Sequence, residues 1–168
     1  THSRSCSAIH RRPLLKIVVY QNRAGSFDLE ANLQRIHTAA ERASAAGASL
    51  LICPELALSG YSAGAHNLLA NAQDAAGAGL ERIRTIAGAS GIAIVFGYPE
   101  RAQSQLYNSA ALIDRSGKLA LNYRKTHLFG DYEKAVFTPG DGGFSTANIA
   151  GWNIGLLICY DIEFPETA

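Results

Sequence analysis

Short apolar runs alternate with longer amphipathic stretches over the first half of the chain. Three of the runs are almost wholly apolar, which predicts strands that are buried on both faces. These runs span residues 14–20, 49–53 and 91–98. Apolar residues recur at helical spacing over 28–47 and 75–89, so each of these stretches predicts a helix. Asp28 is a typical N-cap, and Gly47 and Gly91 are typical residues at helix C-termini.

The second half of the sequence is richer in strand patterns. Two apolar segments, 106–113 and 118–123, flank Asp114-Arg-Ser-Gly117, which predicts a hairpin with a glycine-containing turn. A last apolar run, 152–159, predicts another strand, whereas residues 56–72 predict irregular structure. The order strand, helix, strand, helix and then several strands predicts an α/β domain whose helices cover one face of a mixed sheet.

Length and charge limit the class of protein. A chain of 168 residues suits one domain, which we place at 13–168 after a flexible tail over 1–12. Fifteen basic and fourteen acidic side chains give a net charge of +1, which lacks the positive field used in non-specific nucleic-acid binding. No apolar run approaches the roughly 18 residues of a membrane span, and the tail lacks the apolar region of a secretory signal. We therefore expect a cytoplasmic protein with neither a nucleic-acid nor a membrane partner.

The cysteines and histidines do not form a metal-binding or disulfide pattern. The three cysteines, Cys6, Cys53 and Cys159, are an odd number without C-x-x-C spacing, and the five histidines are scattered. We therefore expect neither a disulfide framework nor a metal site.

One candidate nucleophile is Ser62, which lies in Gly60-Tyr-Ser-Ala-Gly64, a formal G-x-S-x-G motif. In α/β-hydrolases this motif joins a strand directly to a helix. Here residues 54–59 separate Ser62 from the nearest predicted strand, which favours a glycine-rich loop. A serine hydrolase that uses Ser62 with Asp114 and His127 remains an alternative.

Three other candidates each follow a predicted strand. Glu55 comes directly after the strand at 49–53, at the carboxyl edge where open α/β sheets build their sites, although such a glutamate alone more often caps a turn. Lys125 follows the strand at 118–123 and would by itself be a solvated residue. Cys159 ends the last predicted strand, where a core cysteine is common. The polar residues after Cys159 favour a helix start, so backbone N–H groups and the helix dipole should favour its thiolate.

Taken together, these motifs resemble those of the carbon–nitrogen hydrolase (nitrilase) superfamily. The resemblance covers residues 14–168, and the matching motifs are Pro54-Glu55, Lys125-Thr-His127, Cys159-Tyr-Asp161 and Phe164-Pro-Glu166. It implies a catalytic triad of Glu55, Lys125 and Cys159, and a second glutamate, Glu133, that positions substrate. It also implies an α/β fold of the nitrilase type, an α-β-β-α sandwich of which this chain holds the N-terminal part, and assembly of the full-length protein into homo-oligomers.

The residues after the cysteine narrow the resemblance to the amidase-like branch. Tyr160-Asp161 stands where true nitrilases typically have Trp-Glu. The resemblance then implies hydrolysis of a small carboxamide through a cysteine thioester, with release of ammonia and without a metal or organic cofactor. The backbone N–H of Tyr160 would help Lys125 to stabilise the oxyanion. An N-carbamoyl amino acid hydrolase or a nitrilase of the same superfamily is one alternative, and a non-catalytic fragment or scaffold is another.

The second half of the family fold would lie beyond Ala168. We therefore expect the physiological protein to be longer or to need a partner chain. We also expect residues 1–168 alone to be inactive and poorly soluble, because an unpaired apolar strand edge favours aggregation.

Overall fold

The computed structural model describes residues 14–21, 27–74 and 76–167. The tail predicted over 1–12, with Cys6, lies outside the described residues. The elements in chain order are β1 (Ile17–Val19), α1 (Leu29–Ala45), β2 (Leu50–Ile52), α2 (Gly64–Ala70), α3 (Ala78–Ser90), β3 (Ala93–Ala102), β4 (Gln105–Ile113), β5 (Leu119–Arg124), α4 (Gly130–Val136), β6 (Thr146–Ile149) and β7 (Trp152–Gly155). Two 3-10 turns, Cys159–Glu163 and Pro165–Thr167, follow.

Five of the strands form one mixed sheet in the order β1-β2-β3-β4-β5. The first three strands run parallel to one another, and β3, β4 and β5 pair antiparallel. The turn between β4 and β5 is the predicted one, because the Asp114 carboxylate accepts the backbone N–H groups of Ser116 and Lys118 at 2.8 and 3.0 Å. Gly117 there has a φ of +85°, which favours glycine. The predicted mixed sheet and its hairpin are confirmed.

Helices α1 and α3 cover one face of this sheet. The Asp28 carboxylate accepts the backbone N–H groups of Glu30 and Ala31, which makes it the N-cap of α1 as predicted. Gly91 ends α3 in the left-handed conformation, with a φ of +64°. The apolar sides of the two helices pack on the sheet in one buried cluster that includes Leu33, Ile36, Ala40, Leu80, Ile83, Leu51, Ile94 and Phe96.

The opposite face of the sheet is covered by the antiparallel hairpin of β6 and β7. Ile149 from this hairpin is buried in a cluster with Leu50, Ala93 and Leu112 of the large sheet. The described residues therefore form helix, sheet and hairpin layers, and a second β layer stands behind the first. Among the described residues, no helix has the length and apolar character needed to cross a membrane.

The sequence patterns missed three short elements. Residues 56–72, which we predicted to be irregular, contain α2, of which only Leu68 is fully buried, so no apolar stripe marks it. Helix α4 and strand β6 were also missed, at seven and four residues.

The end of the last strand was also predicted wrongly. The apolar run at 152–159 is a strand only as far as Gly155, and Cys159 begins a 3-10 turn rather than an α-helix. Of residues 152–159 only Ile158 is buried, so this apolar run marks neither a continuous strand nor a continuous part of the core.

Candidate active site

Lys125 lies at the centre of the site, one residue beyond the end of β5. It is 1% exposed, and its ammonium Nζ donates to Glu55 Oε1 at 2.7 Å and to Glu133 Oε1 at 2.9 Å. Burial disfavours the charged form of Lys125, but the hydrogen bonds and negative charges of the two glutamates outweigh it and raise the pKa of Lys125 above its ordinary value. Lys125 is therefore a fixed cation between two carboxylates.

Glu55 reaches Lys125 from the segment that follows β2, and this segment lies unusually close to β3. Gly97 in β3 donates its N–H to the Pro54 carbonyl at 3.3 Å, and its own carbonyl accepts the N–H of Leu58 at 3.2 Å. A Cβ atom on Gly97 would lie 2.3 Å from the backbone nitrogen of Leu56. Glu55 can take its position only because residue 97 has no side chain.

Asn108 is a further polar contact of Glu55. It is fully buried in β4, and its Nδ2 donates to Glu55 Oε1 at 2.7 Å. The motif analysis did not single out Asn108. An asparagine in the middle of a predicted buried strand was the signal that could have identified it, because buried polar side chains need partners.

Glu133 lies on α4 and is fully buried, rather than on the surface where a glutamate is usually found. Its Oε1 accepts both Lys125 Nζ and the hydroxyl of Tyr61, the latter at 2.8 Å, and its Oε2 accepts the backbone N–H of Phe129 at 2.8 Å. Burial and the hydrogen bond to Glu133 raise the pKa of Tyr61, so its hydroxyl stays a donor. Three donors thus hold the two oxygens of Glu133 in place.

Cys159 stands next to Glu55 at the start of the first 3-10 turn. It is exposed and has a φ of +48°, an unusual conformation for a residue with a side chain. Burial first, and then the charge and side chain of Glu55, raise the pKa of the Cys159 thiol, against the lowering effects of Lys125 and of the Tyr160 backbone N–H. The backbone N–H of Tyr160 lowers the pKa of the thiol, as expected, but burial and the charge of Glu55 outweigh it, so the net expectation of a favoured thiolate is wrong.

Asp161 ties the cysteine segment to the lysine segment. This fully buried carboxylate accepts the backbone N–H of Ile158 at 3.1 Å, the backbone N–H of His127 at 2.8 Å and the hydroxyl of Tyr123 at 2.9 Å. The His127 ring in turn stacks on Phe164 at 3.7 Å between centroids. Asp161 belonged to a quoted motif, but its role as a clamp became visible only in the structure.

A cavity of about 460 Å³ opens beside Glu133 and is lined in large part by aromatic rings. Tyr61, Phe129 and Tyr132 line it, and the ring of Tyr160 packs edge-on against Phe129 at 5.3 Å. A larger cavity of about 720 Å³ lies between β1 and α1, and none of the candidate residues lines it. Glu55, Lys125 and Cys159 do not line the smaller cavity either, but Tyr61, which bonds to Glu133, does.

The structure does not assemble the alternative serine site. Ser62 is exposed in the segment that precedes α2, ten residues after the end of β2, so the strand–turn–helix connection of α/β-hydrolases is missing. Asp114 lies in the turn before β5, at the opposite end of that strand from Lys125. His127 is bonded to Asp161 instead.

Comparisons with known proteins place this site in a family context. The sequence model described as "Carbon-nitrogen hydrolase" matches residues 16–168. A Pseudomonas protegens protein described as "Hydrolase in pqqF 5'region" is 47% identical over 92% of this chain and 54% of its own length. An (R)-stereoselective amidase from Pseudomonas sp. is 40% identical over 92% of this chain and 54% of its own length. The chain thus spans about half the length of the curated relatives that it matches.

The fold is shared with solved amidase structures. The crystal structure of an amidase from Nesterenkonia sp. superposes with a TM-score of 0.79 at 35% sequence identity, over 94% of this chain and 60% of that chain. The predicted fold class, an α/β sandwich present here in part, is confirmed.

The contact at Gly97 predicts the behaviour of the Cys159 thiol. In full-length protein, Gly97→Ala should force the backbone around Glu55 away from β3 and so remove the carboxylate that raises the pKa of Cys159. The pH dependence of iodoacetamide alkylation at Cys159 should shift to lower pH. Gly88→Ala is the matched control, because its added methyl would make only an ordinary contact of 3.6 Å. An unchanged thiol titration in a folded Gly97→Ala variant would show that Glu55 does not depend on this approach.

Proposed function

We propose that this chain, which belongs to the carbon-nitrogen hydrolase family, supplies the catalytic residues of an enzyme that hydrolyses small linear carboxamides. The membership confirms the resemblance that the motifs indicated, including its amidase-like branch. The observation that carries the proposal is the arrangement of Glu55, which bonds to the ammonium of Lys125 and whose charge acts on the thiol of Cys159.

The first step of the proposed reaction is attack of Cys159 on the amide carbon. Because its neighbours raise the pKa of the thiol, few thiolates exist in the free enzyme, and a base has to remove the proton during the attack. Glu55 takes that proton as the sulfur–carbon bond forms, and the electron pair of the carbonyl π bond moves to oxygen. General-base assistance of this kind contributes about 10²- to 10⁴-fold.

Lys125 and the backbone of Tyr160 are placed to stabilise the resulting oxyanion. A lysine ammonium has three N–H donors, and two of them are bonded to Glu55 and Glu133. The third remains for the oxyanion, together with the N–H of Tyr160 beside the sulfur. One such donor is worth about 2.7 to 4 kcal/mol in the transition state.

In the remaining steps Glu55 acts first as a general acid and then again as a general base. It returns its proton to the leaving nitrogen as the carbon–nitrogen bond breaks, so that ammonia departs and a thioester remains on Cys159. Glu55 then takes a proton from water as the water oxygen attacks the thioester. Collapse of the second tetrahedral intermediate breaks the sulfur–carbon bond, releases the carboxylic acid and returns the proton to the thiol.

The substrate class is supported by the cavity beside Glu133 and by the relatives. The Nesterenkonia amidase is described in complex with acrylamide and with butyramide, both small carboxamides. The aromatic rings of Tyr61, Phe129 and Tyr132 suit a short apolar acyl chain.

A second candidate is a carbamoyl compound with a cationic end. An N-carbamoylputrescine amidase of Solanum tuberosum is 39% identical over 90 residues, and Asp131 lines the same cavity as a possible partner for an ammonium. Turnover of butyramide, N-carbamoylputrescine and butyronitrile by full-length protein, followed by ammonia release, decides between them. We expect butyramide to be the best substrate. No release from any of the three would contradict the proposal.

Cys159 and Cys53 should differ in their importance for turnover and in their rate of alkylation. Cys159→Ala should abolish turnover and leave the unfolding midpoint close to that of the wild type, because the change leaves only a small void. Iodoacetamide should modify Cys159 long before Cys53, which is 7% exposed and whose pKa is raised by burial to about 12. Cys53→Ala is the matched control and should keep its activity. Turnover by Cys159→Ala, or labelling of Ser62 by a fluorophosphonate, would favour another nucleophile.

Substitutions of the two glutamates should have different effects on the rate of acylation. Glu55→Gln removes the base and should slow the nitrophenol burst from p-nitrophenyl butyrate by about 100-fold or more. Glu133→Gln disturbs three hydrogen bonds but no proton transfer, so the burst should slow much less. Because residues that act together are not additive, the comparison uses the burst and not the overall rate. An equal or larger effect at Glu133 would mean that the roles are reversed.

A further inference from the structure

We infer that Asn108 is a positioning residue that decides which oxygen of Glu55 carries the proton, an inference that rests on the proposed role of Glu55 as the base. Asn108 is fully buried in β4 and donates its Nδ2 to Glu55 Oε1 at 2.7 Å. The same Oε1 accepts Lys125 Nζ at 2.7 Å. With two donors on Oε1, both of its lone pairs are occupied, and Oε2 is left to exchange a proton with Cys159.

Asn108 also fixes the backbone of the neighbouring lysine. The backbone N–H of Lys125 donates to the carbonyl of Asn108 at 2.8 Å. One residue of β4 therefore holds Lys125 through its main chain and Glu55 through its side chain. The last side-chain torsion angle of a glutamate is only weakly restricted. If Lys125 were the only donor, the carboxylate could rotate so that its two oxygens exchange places.

The amide oxygen of Asn108 shows that the bond to Glu55 determines how the side chain is oriented. Its Oδ1 is buried and has no hydrogen-bond partner among the described residues, an arrangement that is rare for buried polar atoms. Turning the amide over would place Oδ1 against the Glu55 carboxylate, acceptor against acceptor. The bond from Nδ2 to Glu55 therefore sets the orientation of the amide on its own.

Asn122 shows how a structural asparagine of the same sheet is bonded. Its Oδ1 accepts the Tyr98 hydroxyl at 2.8 Å, and its Nδ2 donates to Glu100 Oε2 at 2.9 Å. Glu100 belongs to a separate ion pair, with Arg124. Asn122 thus makes the same amide-to-carboxylate bond as Asn108, but to a carboxylate outside the site and with both ends of its amide satisfied.

The test uses variants that remove the donor in full-length protein. Asn108→Asp keeps the shape of the side chain but replaces the donor by an acceptor, and Asn108→Ala removes both. Each should lower kcat for butyramide by about tenfold or more with little change in KM, because proton transfer and not binding is impaired. Turnover of p-nitrophenyl butyrate should fall less, because its leaving group needs no proton. The amide-to-ester ratio should therefore fall, which a general loss of structure would not produce.

Asn122→Asp is the matched control, and it should lower stability while keeping the amide-to-ester ratio of the wild type. If one Asn108 variant does not fold, the amide-to-ester ratio of the other variant tests the inference. A folded Asn108 variant with the ratio and kcat of the wild type would overturn the inference, as would an equal fall in the ratio for Asn122→Asp. The Glu55→Gln variant distinguishes failure of the proposed base from failure of the inference about Asn108. If it is active, both the base assignment and this inference fail; if it is inactive while Asn108 variants behave as wild type, only this inference fails.

Discussion

A single buried ammonium between two carboxylates organises the site. Two neighbouring carboxylates, of Glu133, which is buried, and of Glu55, which is half-buried, would repel each other and would be costly to desolvate. Lys125 contacts one oxygen of each at 2.7 and 2.9 Å, and neutral donors from Asn108, Tyr61 and the Phe129 backbone complete the hydrogen bonding. The end of β5 supplies the lysine, the segment after β2 supplies one glutamate, and α4 supplies the other. The ion group therefore joins the segment after β2 to the end of β5, 70 residues later, and to α4, which follows β5 closely.

The two glutamates have different surroundings, and their proposed roles follow from that difference. Both oxygens of Glu133 are occupied by donors, whereas the donors described for Glu55 from Lys125 and Asn108 converge on Oε1. The second carboxylate oxygen of Glu55 is thus available to Cys159. A thiol with a raised pKa beside a carboxylate is poorly ionised at rest, so in the proposed reaction proton transfer and attack occur together. Environment, not residue type, separates a base from a fixed anion.

The sequence predicted the positions that follow from local rules. Glu55 and Lys125 were placed at strand ends because apolar runs stop there, and Asp28 and Gly91 mark helix ends through their own backbone chemistry. The burial of Glu133 could not be predicted from the local pattern, because the donors of Lys125 and Phe129 face it only in the folded chain and Tyr61 lies 72 residues earlier. The raised thiol pKa was missed because its causes, burial first and then the charge of Glu55, which lies 104 residues earlier, arise only in the folded chain. Local pattern identifies a residue at an edge, but its charge environment is a property of the tertiary structure.

The free energy of unfolding of full-length variants at Lys125 and Glu133 tests the central role of the ammonium most directly. Lys125→Met should leave the buried carboxylate of Glu133 and the half-buried carboxylate of Glu55 without their counter-charge and lower the free energy of unfolding by about 3 to 5 kcal/mol. Glu133→Gln should destabilise the wild type, where it breaks bonds to three donors, but should restore part of the stability in the Lys125→Met background, where it removes the repulsion. This reversal of sign is the result that we predict. An equal loss from Glu133→Gln in both backgrounds would contradict the account, because it would show that Lys125 does not hold the two carboxylates together.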